Sequence, residues 1–207
     1  MLHVIFRYFP SLTSLQKEKI SLLKPLYLKW NSMINVISRK DMDNFLIHHV
    51  LHSLSIAKII SFKHGSRILD VGSGGGLPGI PLAILFPESQ FTLLDSVDKK
   101  TRVISAIADE LNLVNIKITR KRVEDEDGKY DFITGRAVTQ FNQFVKLTKK
   151  NILKHGTNTL KNGIIYLKGG NINEELGPFR DKAMVWNIKE FFSEPFFETK
   201  KIIYLPG

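Results

Sequence analysis

The chain has 207 residues, 43% of them apolar, which is enough to bury a full-sized core and excludes wholesale disorder. Thirty Lys and Arg against twenty Asp and Glu leave a formal charge of +10, which favours a polyanionic partner such as nucleic acid. The absence of cysteine excludes disulfides, thiolate-bound zinc and any thiol nucleophile. From Leu12 to Ile34, the residues Leu15, Leu22, Leu23, Leu26, Tyr27, Trp30 and Ile34 fall mostly three or four apart, the spacing of one helical face. Pro25 should kink or restart that helix, and Tyr27 and Trp30 read as its core anchors. A second helix is predicted from about Asp43 to Ile60, with Ile47, Val50, Leu51, Leu54 and Ala57 inward and Asp41 or Asp43 as N-cap.

Lys63-His64-Gly65 ends the helical pattern, so residues 1–63 read as a helical extension and 64–207 as a second unit. From Arg67 onward short apolar runs alternate with helical ones, the signature of βα units on a parallel sheet and of the α/β class. Strands are predicted at Arg67 to Val71, Phe91 to Asp95, Asn115 to Thr119, Tyr130 to Thr134 and Gly163 to Lys168. Two more, antiparallel, are expected at Met184 to Phe192 and Lys200 to Leu205. Helices fall near Pro81 to Phe86, Lys99 to Leu113 and Phe141 to Leu153, and Asp125 to Lys129 reads as a solvated turn. No apolar run reaches the roughly 18–20 residues of a membrane span, and MLHVIFRYFPS lacks the layout of a signal peptide. A cytoplasmic protein with no membrane partner is expected.

The stretch ILDVGSGGGLPG packs five glycines between Gly72 and Gly79. A glycine-rich turn between strand and helix admits a ligand close to the main chain. Gly74, Gly76 and Gly79 satisfy the dinucleotide spacing G-x-G-x-x-G, and Asp95 follows at the distance of a ribose-binding acid. However, Asp70 ends the strand two residues before Gly72. A carboxylate there suits the ammonium of S-adenosyl-L-methionine and repels a pyrophosphate, so the methyl donor is favoured over NAD.

Missing residues narrow the acceptor. Without cysteine, carbon-5 methylation of a pyrimidine lacks its usual nucleophile. Where enzymes acting on exocyclic base amines often carry an Asn/Asp-Pro-Pro-aromatic turn, this chain has Thr134-Gly135-Arg136-Ala137. Arginine donors match the O6 and N7 edge of guanine. N7 has a lone pair and no proton, so its methylation needs alignment rather than a general base, and alignment can be worth roughly 7–11 kcal/mol.

With these residues assembled, the chain resembles the RsmG (GidB) family, methyltransferases that modify guanine N7 in 16S ribosomal RNA. The likeness runs through Trp30-Asn31, His48 to Leu54, DVGSGGGLPGIPLAI, Leu94-Asp95-Ser96 with Lys99-Lys100, Arg122-Val123-Glu124, Arg136-Ala137 and Leu167-Lys168-Gly169. It implies a Rossmann-like class I S-adenosylmethionine-dependent fold with a seven-stranded, mostly parallel sheet. It also implies a donor site including Gly72, Gly74, Leu77, Val123, Glu124 and Arg136, with Asp95 on the ribose by the wider methyltransferase pattern. Arg136 is the expected catalytic residue. The implied partner is 16S ribosomal RNA or the small subunit particle. Gly135 departs from the serine common in the family at that position.

Arg39, Lys99, Lys100 and Lys168 are the candidate RNA-phosphate contacts, Lys99 and Lys100 foremost because strand ends converge on the binding crevice. His48 and His52 have metal-ligand spacing but neither the H-E-x-x-H form nor a third ligand, so they read as structural or RNA-facing and no metal is expected. An RNA-bound assembly factor that retains the donor site is the alternative function. No long exposed apolar stripe demands a partner copy, so a monomer is expected.

Overall fold

The computed structural model describes residues 2–207. Helices α1 (Leu2–Tyr8) and α2 (Ser14–Met33) open the chain. Thr13 starts α2 through a reciprocal cap: its hydroxyl accepts from the Gln16 amide at 3.2 Å, and its own N–H donates to the Gln16 side chain at 2.9 Å. Pro25 does not restart α2, which passes through it as one element. Buried Ile20, Leu23 and Tyr27 hold the helix to the core on both sides of the missing N–H. Leu15 and Leu22, expected on the inner face, are exposed.

The second predicted helix is not regular. A turn with π-type hydrogen bonding (Leu46–Leu51) passes into α3 (His52–Leu54) and a 3₁₀ turn (Ser55–Lys58). Neither Asp41 nor Asp43 caps it, because the Asp41 carboxylate is taken by two histidine rings. π-turns recur at functional sites.

The strands are β1 (Arg67–Val71), β2 (Gln90–Asp95), β3 (Ile116–Arg120), β4 (Phe132–Arg136), β5 (Gly163–Gly169), β6 (Met184–Asn187) and β7 (Lys200–Pro206). They form one seven-stranded sheet in the order β3-β2-β1-β4-β5-β7-β6. The first five are parallel, and β7 runs antiparallel to both its neighbours. The β4 strand lies two residues later than expected, which makes Arg136 its last residue; β6 stops at Asn187 instead of Phe192.

Alternation along the strands decides which layer covers which face. Ile68, Phe91, Phe132, Ile165 and Leu167 face a core built with α2, the π-turn segment, α4 (Gly79–Leu85) and α5 (Asp98–Glu110). Leu69, Leu94, Ile133, Ile164 and Tyr166 face a second core with α6 (Phe141–Thr148) and α7 (Asn173–Leu176). The helical extension therefore covers one face of the sheet. The predicted solvated turn is also revised. Glu126 is buried, accepting from the Gly128 N–H at 2.8 Å and the Tyr130 hydroxyl at 3.1 Å and pairing with Lys121 at 2.8 Å.

Candidate active site

The chain order reverses between β1 and β4, and the strand C-termini there open on a crevice. Gly72 follows β1, Asp95 ends β2 and Arg136 ends β4, so all three reach its floor. Gly72, Gly74 and Gly76 all have positive φ, of 62°, 59° and 89°, conformations in which a side chain would be strained. The loop bends back on itself through the Gly76 and Leu77 amides, which donate to the Ser73 carbonyl at 2.7 and 3.0 Å.

Asp95 accepts from the Gly74 amide with one oxygen, at 2.8 Å, and from the Val97 amide with the other, at 2.9 Å. Its carboxylate is thereby fixed in orientation while lone pairs remain free on each oxygen. Asp70 behaves differently from its sequence reading. It is fully buried, its oxygens taking the Gly79 amide at 2.9 Å and the Thr134 hydroxyl at 3.1 Å. It secures the first turn of α4 from below, and burial pushes its carboxyl up to about 7.

Two cavities meet at the turn after β4. One, of about 400 Å³, is lined by Gly72, Asp95, Lys100, Val123, Glu124 and Val138. The other, of about 600 Å³, is lined by Asp41, His48, His49, Arg136, Lys168 and Phe196. Ala137 and Thr139 line both and form the partition. Ala137 holds a left-handed φ of 53°, an unusual conformation for a residue with a side chain. Tyr166 fixes this partition: its hydroxyl accepts from the Val138 and Thr139 amides at 3.0 and 3.2 Å and donates to the Thr139 carbonyl at 2.7 Å.

Of the expected donor residues, Gly72, Asp95, Val123 and Glu124 share the smaller cavity. Gly74 supports it through Asp95. Leu77 lines neither cavity; its side chain lies in the core and its amide is spent on the loop turn. Arg136 lines the larger cavity, where it donates to His49 Nδ1 at 3.2 Å. Among the basic candidates, Lys100 lines the smaller cavity, Lys99 is exposed on the same helix turn, and Arg39 is exposed in the 3₁₀ turn after α2. Lys168 lines the larger cavity but is paired with Glu175 at 2.9 Å, so part of its charge is already matched.

Sequence reasoning missed Asp41, His49, Phe196 and Lys200. The His48 ring stacks on Phe196 with centroids 3.9 Å apart and 15° between planes, and the Lys200 ammonium sits 4.6 Å from the Phe196 centroid. His52 is buried at the wall of this cavity, and its Nε2 has no hydrogen-bond partner among the described residues. Helical periodicity selects one face and so singles out His48 and His52 but passes over His49 between them. Phe196 and Lys200 come from a 3₁₀ turn and a strand whose placement beside β5 only the sheet order supplies.

Comparison with known proteins places this geometry. Residues 16–203 match GidB, rRNA small subunit methyltransferase G. The chain belongs to the GidB family. A relative from Bacteroides thetaiotaomicron named ribosomal RNA small subunit methyltransferase G is 47% identical over 203 residues, covering 98% of both chains. Another of that name, from Flavobacterium psychrophilum, is 52% identical over 202 residues, covering 98% of this chain and 96% of its own. Among solved structures, an MtNAS variant in complex with S-adenosylmethionine is similar over 93% of this chain and 76% of its own, with a TM-score of 0.60 at 12% identity. A SAM-dependent methyltransferase from Aquifex aeolicus is similar over 75% of this chain and 89% of its own, with a TM-score of 0.55 at 14% identity. These two support the fold, a Rossmann-like class I arrangement.

Proposed function

We propose that this GidB-family protein transfers a methyl group from S-adenosyl-L-methionine to N7 of a guanine in 16S ribosomal RNA, with the donor in the smaller cavity and the base in the larger one, meeting beside the Arg136-Ala137 turn. The carrying observation is the pair of adjoining cavities that share Ala137 and Thr139, one floored by the glycine loop and the other by Arg136. The smaller cavity suits the donor. Its volume of about 400 Å³ lies within the range of small-molecule sites, the loop at Gly72 leaves main chain bare, and the Asp95 carboxylate is held ready to accept from hydroxyls. Val123 and Glu124 on the far wall would flank the adenine, and the Lys150 ammonium, bonded to the Glu124 carbonyl, steadies that wall. When bound, S-adenosylmethionine supplies an electrophilic methyl on a sulfonium.

The residues around the larger cavity then orient the acceptor. Arg136 offers donors beyond the one used on His49, matched to guanine O6, while the stacked His48–Phe196 pair gives a flat face for a base. No general base is required for N7, so alignment and exclusion of water carry the rate. Lys99, Lys100, Arg39 and Lys200 supply positive charge around the crevice for RNA phosphates, and the chain acts as a monomer in the cytoplasm, where ribosomal RNA is found. Among the described residues no helix is long and apolar enough to cross a membrane.

The test is nucleoside analysis of 16S RNA from cells with and without the gene. N7-methylguanosine should be lost on deletion and restored by the wild-type gene but not by Arg136→Ala. Purified Arg136→Ala should fold and bind S-adenosylmethionine in calorimetry, yet lose at least about 10² in turnover, the scale expected when alignment is lost. An unchanged N7-methylguanosine content after deletion overturns the assignment.

A further inference from the structure

We propose that Asp41 and His49 form a hydrogen-bonded strut that sets the position of the Arg136 guanidinium, which makes the N-terminal helical segment a positioning part of the transfer site. The chain of contacts is short. Asp41 Oδ2 meets His49 Nε2 at 2.6 Å, and His49 Nδ1 meets an Arg136 terminal nitrogen at 3.2 Å.

The chemistry of the links allows one proton arrangement. Guanidinium can only donate, so Nδ1 of His49 must be the bare, accepting nitrogen. The ring proton is then on Nε2, where it donates to the carboxylate. Neutrality of the ring is part of the device, because a cationic imidazole would turn a second N–H toward Arg136. Burial, reinforced by the Arg136 charge, pushes His49 down to about 4 and keeps it neutral. The charged and titratable groups around it are Asp41 on the preceding 3₁₀ turn, His48 and His52 on its own segment, Arg136 on β4, Lys168 on β5 and Lys200 on β7.

The strut is itself held at its far end. The other Asp41 oxygen meets His48 Nδ1 at 2.5 Å, so the carboxylate cannot swing away without breaking two short contacts. Phe45 stacks on the His49 ring, Tyr27 packs on Phe45, and the Tyr27 hydroxyl donates to the Gly75 carbonyl at 2.6 Å. The π-turn allows this, since adjacent His48 and His49 reach the two oxygens of one carboxylate. The helical segment thus touches both Arg136 and the glycine loop.

This inference rests on Arg136 acting at the transfer site, and the experiments separate the two. His49→Phe keeps the ring volume but removes both hydrogen bonds; His49→Gln keeps an amide oxygen for Arg136 and an amide N–H for Asp41. His49→Phe should lower kcat by about 10²-fold while the KM for S-adenosylmethionine changes less than about twofold, with most of the loss recovered in His49→Gln. A folded His49→Phe with wild-type kcat overturns the strut, as does His49→Gln no better than His49→Phe. A second reading is independent of RNA. Nitrogen NMR of ¹⁵N-histidine-labelled wild-type protein near neutral pH should show His49 neutral, protonated on Nε2 and bare on Nδ1. A cationic ring or the opposite tautomer overturns the strut. Wild-type protein that fails to methylate guanine N7 defeats the assigned reaction instead, and the NMR result still judges the strut.

Discussion

Asp70 offers the most quantitative test. It is fully buried and, among the described residues, accepts two hydrogen bonds, from the Gly79 amide and the Thr134 hydroxyl. Burial raises its carboxyl from 3.8 to about 7. The folded value lies above the unfolded one, so the native state retains a proton that the unfolded chain releases between about pH 4 and 7. Stability from this group is therefore greatest at low pH, falls across that window, and is lowest once the buried carboxylate is charged. At about 1.36 kcal/mol per tenfold change in proton affinity, the full swing is about 4 kcal/mol, an upper value because the surroundings relax around the charge. Asp70→Asn stays neutral at every pH. Its amide oxygen can still accept from Gly79, and its amide nitrogen can donate to Thr134, whose hydroxyl turns to the Leu69 carbonyl at 3.5 Å. Urea unfolding of both proteins should show an advantage for Asp70→Asn that widens by about 2–3 kcal/mol between pH 5 and pH 7.5. The difference between the two proteins is what matters, since it cancels the titration of every other group. A gap that is constant across this range refutes the reasoning.

Gly135 has no room for a side chain: a Cβ there would sit 2.6 Å from Phe144 Cζ and 3.1 Å from Tyr166. Gly135→Ser should lower stability by about 1–3 kcal/mol in urea unfolding, and Phe144→Leu in the same chain should recover part of it; equal losses that simply add would contradict this packing account. Tyr166→Phe removes the hydroxyl that ties Val138 and Thr139, and since water can reach their amides at this half-exposed turn the expected loss is about 0.5–1.5 kcal/mol. Faster hydrogen exchange at those two amides and lower turnover are expected, and exchange unchanged at both would show that the partition is held by something else.

Local sequence carried much of this protein. Alternation and strand-helix punctuation determined the strands and most of the helices, because those patterns are set by residues adjacent in the chain. The glycine spacing and Asp95 pointed to the smaller cavity, which Gly72 and Asp95 line, for the same reason: a strand-loop-helix unit is local, and β2 pairs beside it in register, Val71 against Leu94. The larger cavity was not legible. Asp41, His49, Arg136 and Phe196 come from four separate elements, and nothing near any one of them in sequence announces the others. Asp70 shows the same limit from the opposite side. Its position at the strand end is written in the sequence, but the direction of its carboxylate depends on Gly79 and Thr134, one on the following helix and one on the neighbouring strand β4. Arg136 lies between the two cases. Its residue type suggested guanine, and only the tertiary structure decided that a histidine of the N-terminal segment holds it, because that contact exists only when the extension folds over the sheet.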